Sequence, residues 1–339
     1  MIGKNKKLEI NSVLKEFFGA INLNQVSTKK ISEGICNETF KIKFKDNFFV
    51  LQKLNHLFDN MKMINDYAYI TLSMKKNGWS VPILLKNKNK RVFFLDKDKN
   101  IWRMYSFIQG NSSNDLLDKI NYFSVGLVMA KFHLDLSKMK YDLKFHIPNF
   151  HNFDYVIKKL GKIYKKIENQ EIADIAINIL GLYKKKKIFF NLEETNQLIH
   201  GDARIENFLF EDSGEAFCLI DFDTFMNGSR YLDISDLIRS ANLSENQTKV
   251  NFSKNKTKLI LKGYLSINKI NKKIFLLNVQ KGLRRITIEL CARFIIDILE
   301  DSYFGWDKNR YKSRKDNNIA RAIANWNLFK RICCINLDV

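Results

Sequence analysis

The stretch from Gln197 to Asp223 constrains the fold more than any other part of the chain. An apolar approach, Gln197-Leu198-Ile199, runs into His200-Gly201-Asp202-Ala203-Arg204-Ile205-Glu206-Asn207, and Leu219-Ile220-Asp221-Phe222-Asp223 follows. Between them, Phe208-Leu209-Phe210 and Ala216 to Ile220 read as two strands about the turn Asp212-Ser213-Gly214. Gly201 lets the backbone turn tightly before Asp202. Such a hairpin brings Asn207 and Asp221 together at its base. Two hard oxygen donors there suit Mg²⁺, which prefers one or two carboxylates with phosphate oxygens and water to an all-protein cage. Asp223 is a candidate second contact.

The order of these residues carries a chemistry. In protein kinases a catalytic-loop Asp orients the acceptor hydroxyl, an Asn five positions later binds Mg²⁺, and a further Asp holds the metals that bridge the phosphates. Asp202, Asn207 and Asp221 stand in that order with similar gaps. Taken singly they are ordinary loop residues. The joint constraint of HGDxxxxN followed by IDxD points instead to ATP- and Mg²⁺-dependent phosphoryl transfer, with Asp202 as base or orienter.

The flanking sequence supplies a frame for that site. Phe40, Ile42 and Phe44 alternate with Thr39, Lys41 and Lys43, and Lys45-Asp46-Asn47 turns the chain into the apolar run Phe48 to Leu54. The polar turn before this hairpin, Ser32 to Thr39, contains Gly34 and stands where phosphates would be covered. Asp59 to Asn77 reads as a helix, and Val92 to Leu95 with Ile101 to Ile108 as a second strand pair. An adenine is expected at the backbone of Ser106, Phe107 and Ile108. Gln109-Gly110-Asn111-Ser112-Ser113 is the best linker. Beyond it the pattern is helical around 115–138, 152–187, 231–268, 272–300 and 317–332. The expected fold is α+β and bilobal, protein-kinase-like: a small β-rich N-lobe over 1–108, a hinge over 109–114, and a larger, mostly helical C-lobe over 115–339.

Composition narrows the alternatives. Lys and Arg number 57 against 36 Asp and Glu, a formal net charge of +21. The excess is scattered along the chain, with one tight cluster at Lys184 to Lys187, as solvated faces would give, so no specific nucleic acid is expected as partner. No window approaches the roughly 18 apolar residues of a membrane span, and the opening Met1 to Lys7 lacks the apolar core of a signal peptide. The 5 Cys form no CxxC pair and suggest a reduced, cytoplasmic protein.

These segments resemble the aminoglycoside phosphotransferase and choline kinase superfamily, which carries the HGDxxxxN loop and the IDxD strand on a kinase-like fold. Within it the chain is most similar to the N-acetylhexosamine 1-kinase group. Asn37-Glu38-Thr39-Phe40, Phe49 to Asn55, Trp102 to Ile108, Ile220 to Met226 and Arg293 to Asp297 carry that likeness. The resemblance implies transfer of the ATP γ-phosphate to a sugar hydroxyl, in that group the anomeric one, with Asn207 and Asp221 as metal ligands. A choline, ethanolamine, homoserine or aminoglycoside kinase is the alternative, and a nucleotide-binding scaffold or basic nucleic-acid-binding protein the alternative of another class.

The resemblance leaves several roles open. It places a phosphate-binding Lys on the third strand, where Lys53 is the candidate; a one-residue shift of register puts Gln52 there instead. Asp233 and Asp236 either hold the catalytic loop or are acids at a helix N-terminus. Arg293, Tyr303 and Trp326, with Asn37, Thr39 and Asp202, are the candidate acceptor-binding residues. Against that, Glu289, Arg293 and Asp297 recur every four residues, as on an exposed salt-bridged helix face, and Trp326 with Phe329 fits a core.

Overall fold

Alternating apolar residues build the first of two units, residues 1–109 with 142–145. The computed structural model describes residues 4–33, 37–55, 58, 60–186, 190–193, 195–243, 250 and 252–338. In chain order the first unit holds α1 (Lys4–Phe18), β1 (Val26–Glu33), β2 (Glu38–Phe44), β3 (Asn47–Lys53), α2 (Met61–Lys76), β4 (Phe94–Leu95) and β5 (Ile101–Ser106). The strands form one antiparallel sheet in the order β1-β2-β3-β5-β4.

The period of two assigns the faces of this sheet. Phe40, Ile42, Leu51, Trp102 and Met104 are buried with Ile10, Val13, Leu14 and Phe17 of α1. Gln52 and Arg103, paired across β3 and β5, point to the opposite face, where the Arg103 guanidinium lies 5.0 Å from the ring of Tyr67 on α2. Asn60 caps α2, its side chain accepting the N–H of Lys62. The sequence foresaw the β2–β3 hairpin, α2 and the β4–β5 pair. It did not foresee α1 or β1, which add a helix and a fifth strand.

The second unit spans residues 110–141 and 146–339. It contains α3 (Ser113–Leu116), α4 (Tyr122–Lys138), α5 (Phe153–Ile163), α6 (Gln170–Lys186), β6 (Gln197–Ile199), β7 (Phe208–Phe210), β8 (Ala216–Leu219), β9 (Met226–Gly228), α7 (Arg230–Asn242), α8 (Lys254–Leu265), α9 (Lys272–Glu300) and α10 (Arg314–Cys333). The expected stretch 152–187 is α5 and α6 joined by a 3-10 turn, and 231–268 is α7 and α8.

A large apolar cluster joins α5, α6, α9 and α10, with Leu160, Ile172, Ile179, Ile295 and Ala322 wholly enclosed. Burial of this kind contributes about 25 cal/mol per Å² of apolar surface. Helices α4 and α8 approach through glycines: a Cβ on Gly126 would sit 2.0 Å from the Ile260 carbonyl oxygen. Among the described residues no helix is long and apolar enough to cross a membrane.

Candidate active site

Three short pieces of backbone assemble the loop that carries Asp202. Strand β6 leads in, paired with β9, and the β7–β8 hairpin leads out. The Ile220 N–H donates to the Asn207 carbonyl at 2.9 Å, which brings the residue before Asp221 against Asn207. Gly201 turns the chain at φ +80, a left-handed conformation, and a Cβ on it would lie 2.3 Å from the Thr224 carbonyl oxygen. The Thr224 hydroxyl in turn donates to the His200 carbonyl at 2.9 Å.

The loop is anchored by Asp233 on α7. Its Oδ2 accepts the His200 N–H at 2.7 Å and its Oδ1 accepts the Gly201 N–H at 2.9 Å. His133 Nε2 lies 3.0 Å from the same Oδ2, and Tyr264 lies 2.8 Å from His133 Nδ1. Burial alone would raise the Asp233 pKa, but the hydrogen bond and charge of His133 outweigh it and hold the carboxyl below its usual range. Of the two roles open to Asp233, the structure gives the loop-holding one. Asp236 pairs instead with Arg239, 2.7 Å away and buried.

Asp202 is half-buried, and the Asn207 amide nitrogen donates to its backbone carbonyl at 2.8 Å and to its Oδ2 at 3.3 Å. Arg204 Nε lies 3.3 Å from Oδ1. Burial would raise the Asp202 pKa; the Arg204 charge is the largest opposing effect, and the carboxyl sits below its ordinary value. Because the Asn207 nitrogen is committed to Asp202, its oxygen is the atom left to face a cation. Asp221 is exposed, in a left-handed conformation at φ 65, whereas Asp223 is buried in the 3-10 turn Phe222–Thr224. The oxygen donors of Asn207 and Asp221 therefore fit a hard cation; Asp223 is the enclosed member of the expected set.

Helix α9 adds a second cluster. Arg293 is half-buried, with its guanidinium 4.9 Å from the ring of Tyr303, 5.5 Å from Phe304 and 5.7 Å from Phe150. Burial would lower its pKa, but Tyr303, Glu289 and Asp202 together raise it. Asp297, one turn further on, accepts the backbone N–H groups of Ser302, Tyr303 and Phe304 at 2.8–3.0 Å and so presents Tyr303 to Arg293. Glu289 and Asp297 are buried, so this is not the exposed salt-bridged face that the spacing also allowed. Trp326 stacks on Phe329 at 5.4 Å and packs against the α5, α6, α9 and α10 cluster.

In the first unit, the sheet register settles which way Lys53 points. Its Nζ meets Glu9 Oε1 on α1 at 2.8 Å and lies 5.6 Å from the Trp102 ring. Gln52 takes the α2 face, accepting from Arg103 Nε at 2.9 Å and Nη2 at 2.6 Å and donating to Thr39 Oγ1 at 3.2 Å. Among the described residues Lys53 pairs with Glu9 of α1 and not with an acid of α2, and Asp66 of α2 accepts the N–H groups of Lys144 and Phe145. Asn37 accepts the Asn55 N–H at 2.9 Å. The Ser106 N–H bonds the Ile83 carbonyl and the Phe107 N–H the Phe48 carbonyl, while Ile108 is half-buried. Gly34 lies outside the described residues.

Residues 95–251 match the phosphotransferase enzyme family known as APH. Among solved structures, the GDP complex of wild-type aminoglycoside 2'-phosphotransferase-IIIa superposes with a TM-score of 0.64 at 13% identity, covering 95% of this chain and 98% of that one. Choline kinase from Cryptosporidium parvum Iowa II gives 0.62 at 15% identity, with 97% and 96% covered. The amicoumacin kinase hAmiN, in complex with AMP-PNP, Ca2+ and Ami, gives 0.66 at 12%, with 96% and 93% covered. Over residues 95–251 the chain is thus similar to the APH phosphotransferase family, and its fold is the protein-kinase-like one of these phosphotransferases.

Proposed function

We propose that the protein transfers the γ-phosphoryl group of ATP to a hydroxyl of a small neutral acceptor, a sugar of the N-acetylhexosamine type, at its anomeric position. The observation that carries this reading is the Asp202 carboxylate: half-buried, kept ionised beside Arg204, and fastened through Asn207 and the Asp233 anchor. Such a group can accept or orient a hydroxyl proton while positioning and electrostatics supply most of the acceleration.

Asn207 and Asp221 would hold Mg²⁺, with Asp223 supporting the turn. When bound, the ion neutralises charge on the β- and γ-phosphates. Gln52 and Arg103, rather than Lys53, occupy the face of the first sheet on which α2 lies, and are the proposed polar contacts on that face. The backbone at Ser106 to Ile108 is the proposed adenine edge. Of its three N–H groups, Ile108 has the one that no backbone carbonyl takes among the described residues.

The acceptor class follows from charge. Arg293 raises the positive potential around Asp202, which disfavours an amino alcohol or an aminoglycoside, and Tyr303, beside Arg293, is a proposed contact for the sugar. Asn37, Thr39 and Trp326 remain proposed acceptor contacts. The test is ADP release with ATP and Mg²⁺ across free sugars, amino alcohols and aminoglycosides. Turnover confined to N-acetylhexosamines and related sugars is expected. Turnover only on cationic acceptors would overturn the acceptor class while retaining the chemistry.

A further inference from the structure

His151 stands outside the HGDxxxxN segment, yet it touches the catalytic loop directly. It is buried, its Nε2 lies 2.6 Å from the Gly201 carbonyl oxygen, and its Nδ1 lies 2.8 Å from Glu289 Oε1 on α9. Both partners are oxygens that accept. A neutral imidazole carries one N–H and can serve only one of them with its own proton. The ring is fixed in place: His151 has φ 53, its carbonyl accepts from Arg285 Nη2 at 2.9 Å, and the Phe150 ring is 4.2 Å away.

The charged groups facing the ring are Glu289, Arg285 and Arg293 on α9 and Asp202 on the loop. Burial disfavours the imidazolium, but the charge and hydrogen bond of Glu289 outweigh burial and raise the His151 pKa above its ordinary value. Glu289 Oε2 is buried with no hydrogen-bond partner among the described residues, so its charge is met through His151 and the neighbouring Arg side chains.

We propose that His151 is a positioning residue for transfer at Asp202: a doubly donating imidazolium that ties the Gly201 carbonyl to Glu289 and thereby sets the direction of the Asp202 side chain. This rests on the phosphotransfer reading above. Asp233 grips the Gly201 peptide by its N–H and His151 grips the same residue by its carbonyl, so the residue before Asp202 is held from both sides. Loss of the second ring proton releases one of the two acceptors and removes a positive charge that favours ionised Asp202. Turnover therefore falls as pH rises through the His151 titration.

The experiment has an arm that needs no substrate. Nitrogen NMR of the full chain labelled at its 5 histidines, with His151 assigned by the signal lost in His151→Gln, reads the protonation of both ring nitrogens. An imidazolium near pH 7 is expected, titrating above about 6.5, and titrating at lower pH in Glu289→Gln. In turnover, His151→Gln is expected to lose roughly tenfold to a hundredfold in kcat, as for a lost charge-assisted hydrogen bond, with KM for ATP held within about twofold. The alkaline limb of the kcat profile should disappear in that variant and move with the His151 titration in Glu289→Gln. A single ring N–H near pH 7, or an unchanged alkaline limb in His151→Gln, would overturn the proposal. A neutral His151 in an active kinase sinks this inference alone, whereas absence of transfer to every acceptor tried, with the imidazolium observed, sinks the phosphotransfer reading.

Discussion

One carboxylate oxygen of Asp233 takes the backbone N–H of His200 at 2.7 Å, and the other takes the next N–H in the chain at 2.9 Å. This bidentate grip turns a glycine-containing loop into a fixed platform for Asp202. Asp233→Asn keeps the shape but turns one acceptor into a donor that faces a donor. A loss of about 2–4 kcal/mol in unfolding free energy is expected, because a buried charge network is broken. Urea unfolding measures it, and an unchanged midpoint would show that the grip contributes nothing.

Gly201 is constrained twice, by φ +80 and by the Thr224 carbonyl 2.3 Å from where a Cβ would stand. Gly201→Ala is therefore expected to cost at least about 2 kcal/mol and to depress turnover more than nucleotide affinity. Thermal unfolding with parallel nucleotide titration checks both. Wild-type turnover in the variant would contradict the tight approach of the loop to the turn at Phe222–Thr224.

The two basic residues near β3 should behave oppositely. Lys53, partly exposed and paired with Glu9, should lose at most about 1 kcal/mol in Lys53→Met, with ATP affinity little changed. Arg103 is buried against Gln52 and Tyr67, so Arg103→Met removes the donors to the buried Gln52 Oε1 and should destabilise by about 2–4 kcal/mol and weaken ATP binding. Calorimetric nucleotide titration of both variants decides, and loss of ATP binding in Lys53→Met would return the phosphate contact to that lysine.

Acid should undo the carboxylate anchors in a defined direction. The pKa values of Asp233 and Glu289 are depressed in the folded protein: burial pushes each up, but His133 for the one and His151 for the other outweigh it. Their contribution to stability is thus present above the ordinary carboxylate pKa of about 4 and is lost as pH falls through the lower folded values. Unfolding free energy should drop on acidification below about pH 4, and less steeply in Asp233→Asn.

What the sequence revealed was local. Asp202, Asn207 and Asp221 lie within one loop and one hairpin, where spacing alone brings them together, and the β2–β3 alternation made half of the first sheet readable. Helix α1 and strand β1 carry so many Lys and Asn that their apolar stripe, Ile10, Val13, Leu14 and Phe17 among them, is faint. The sequence puts Lys53 on the third strand, but only the register shows that it shares the α1 face with Leu51. His151 gave no signal at all, since a lone His between asparagines and phenylalanines becomes meaningful only when folding brings Gly201 and Glu289 to it. Glu289 and Asp297 matched a surface pattern, yet both are buried because α9 is enclosed on several sides.

The most direct test of the account is Asp202→Asn, compared with wild type for ADP release over the acceptor panel and for ATP binding with Mg²⁺. The substitution keeps size and shape but removes the carboxylate that would receive the proton. Turnover is expected to fall by roughly 10²-fold or more, with ATP affinity within about threefold of wild type. Turnover at the wild-type rate in Asp202→Asn would contradict it.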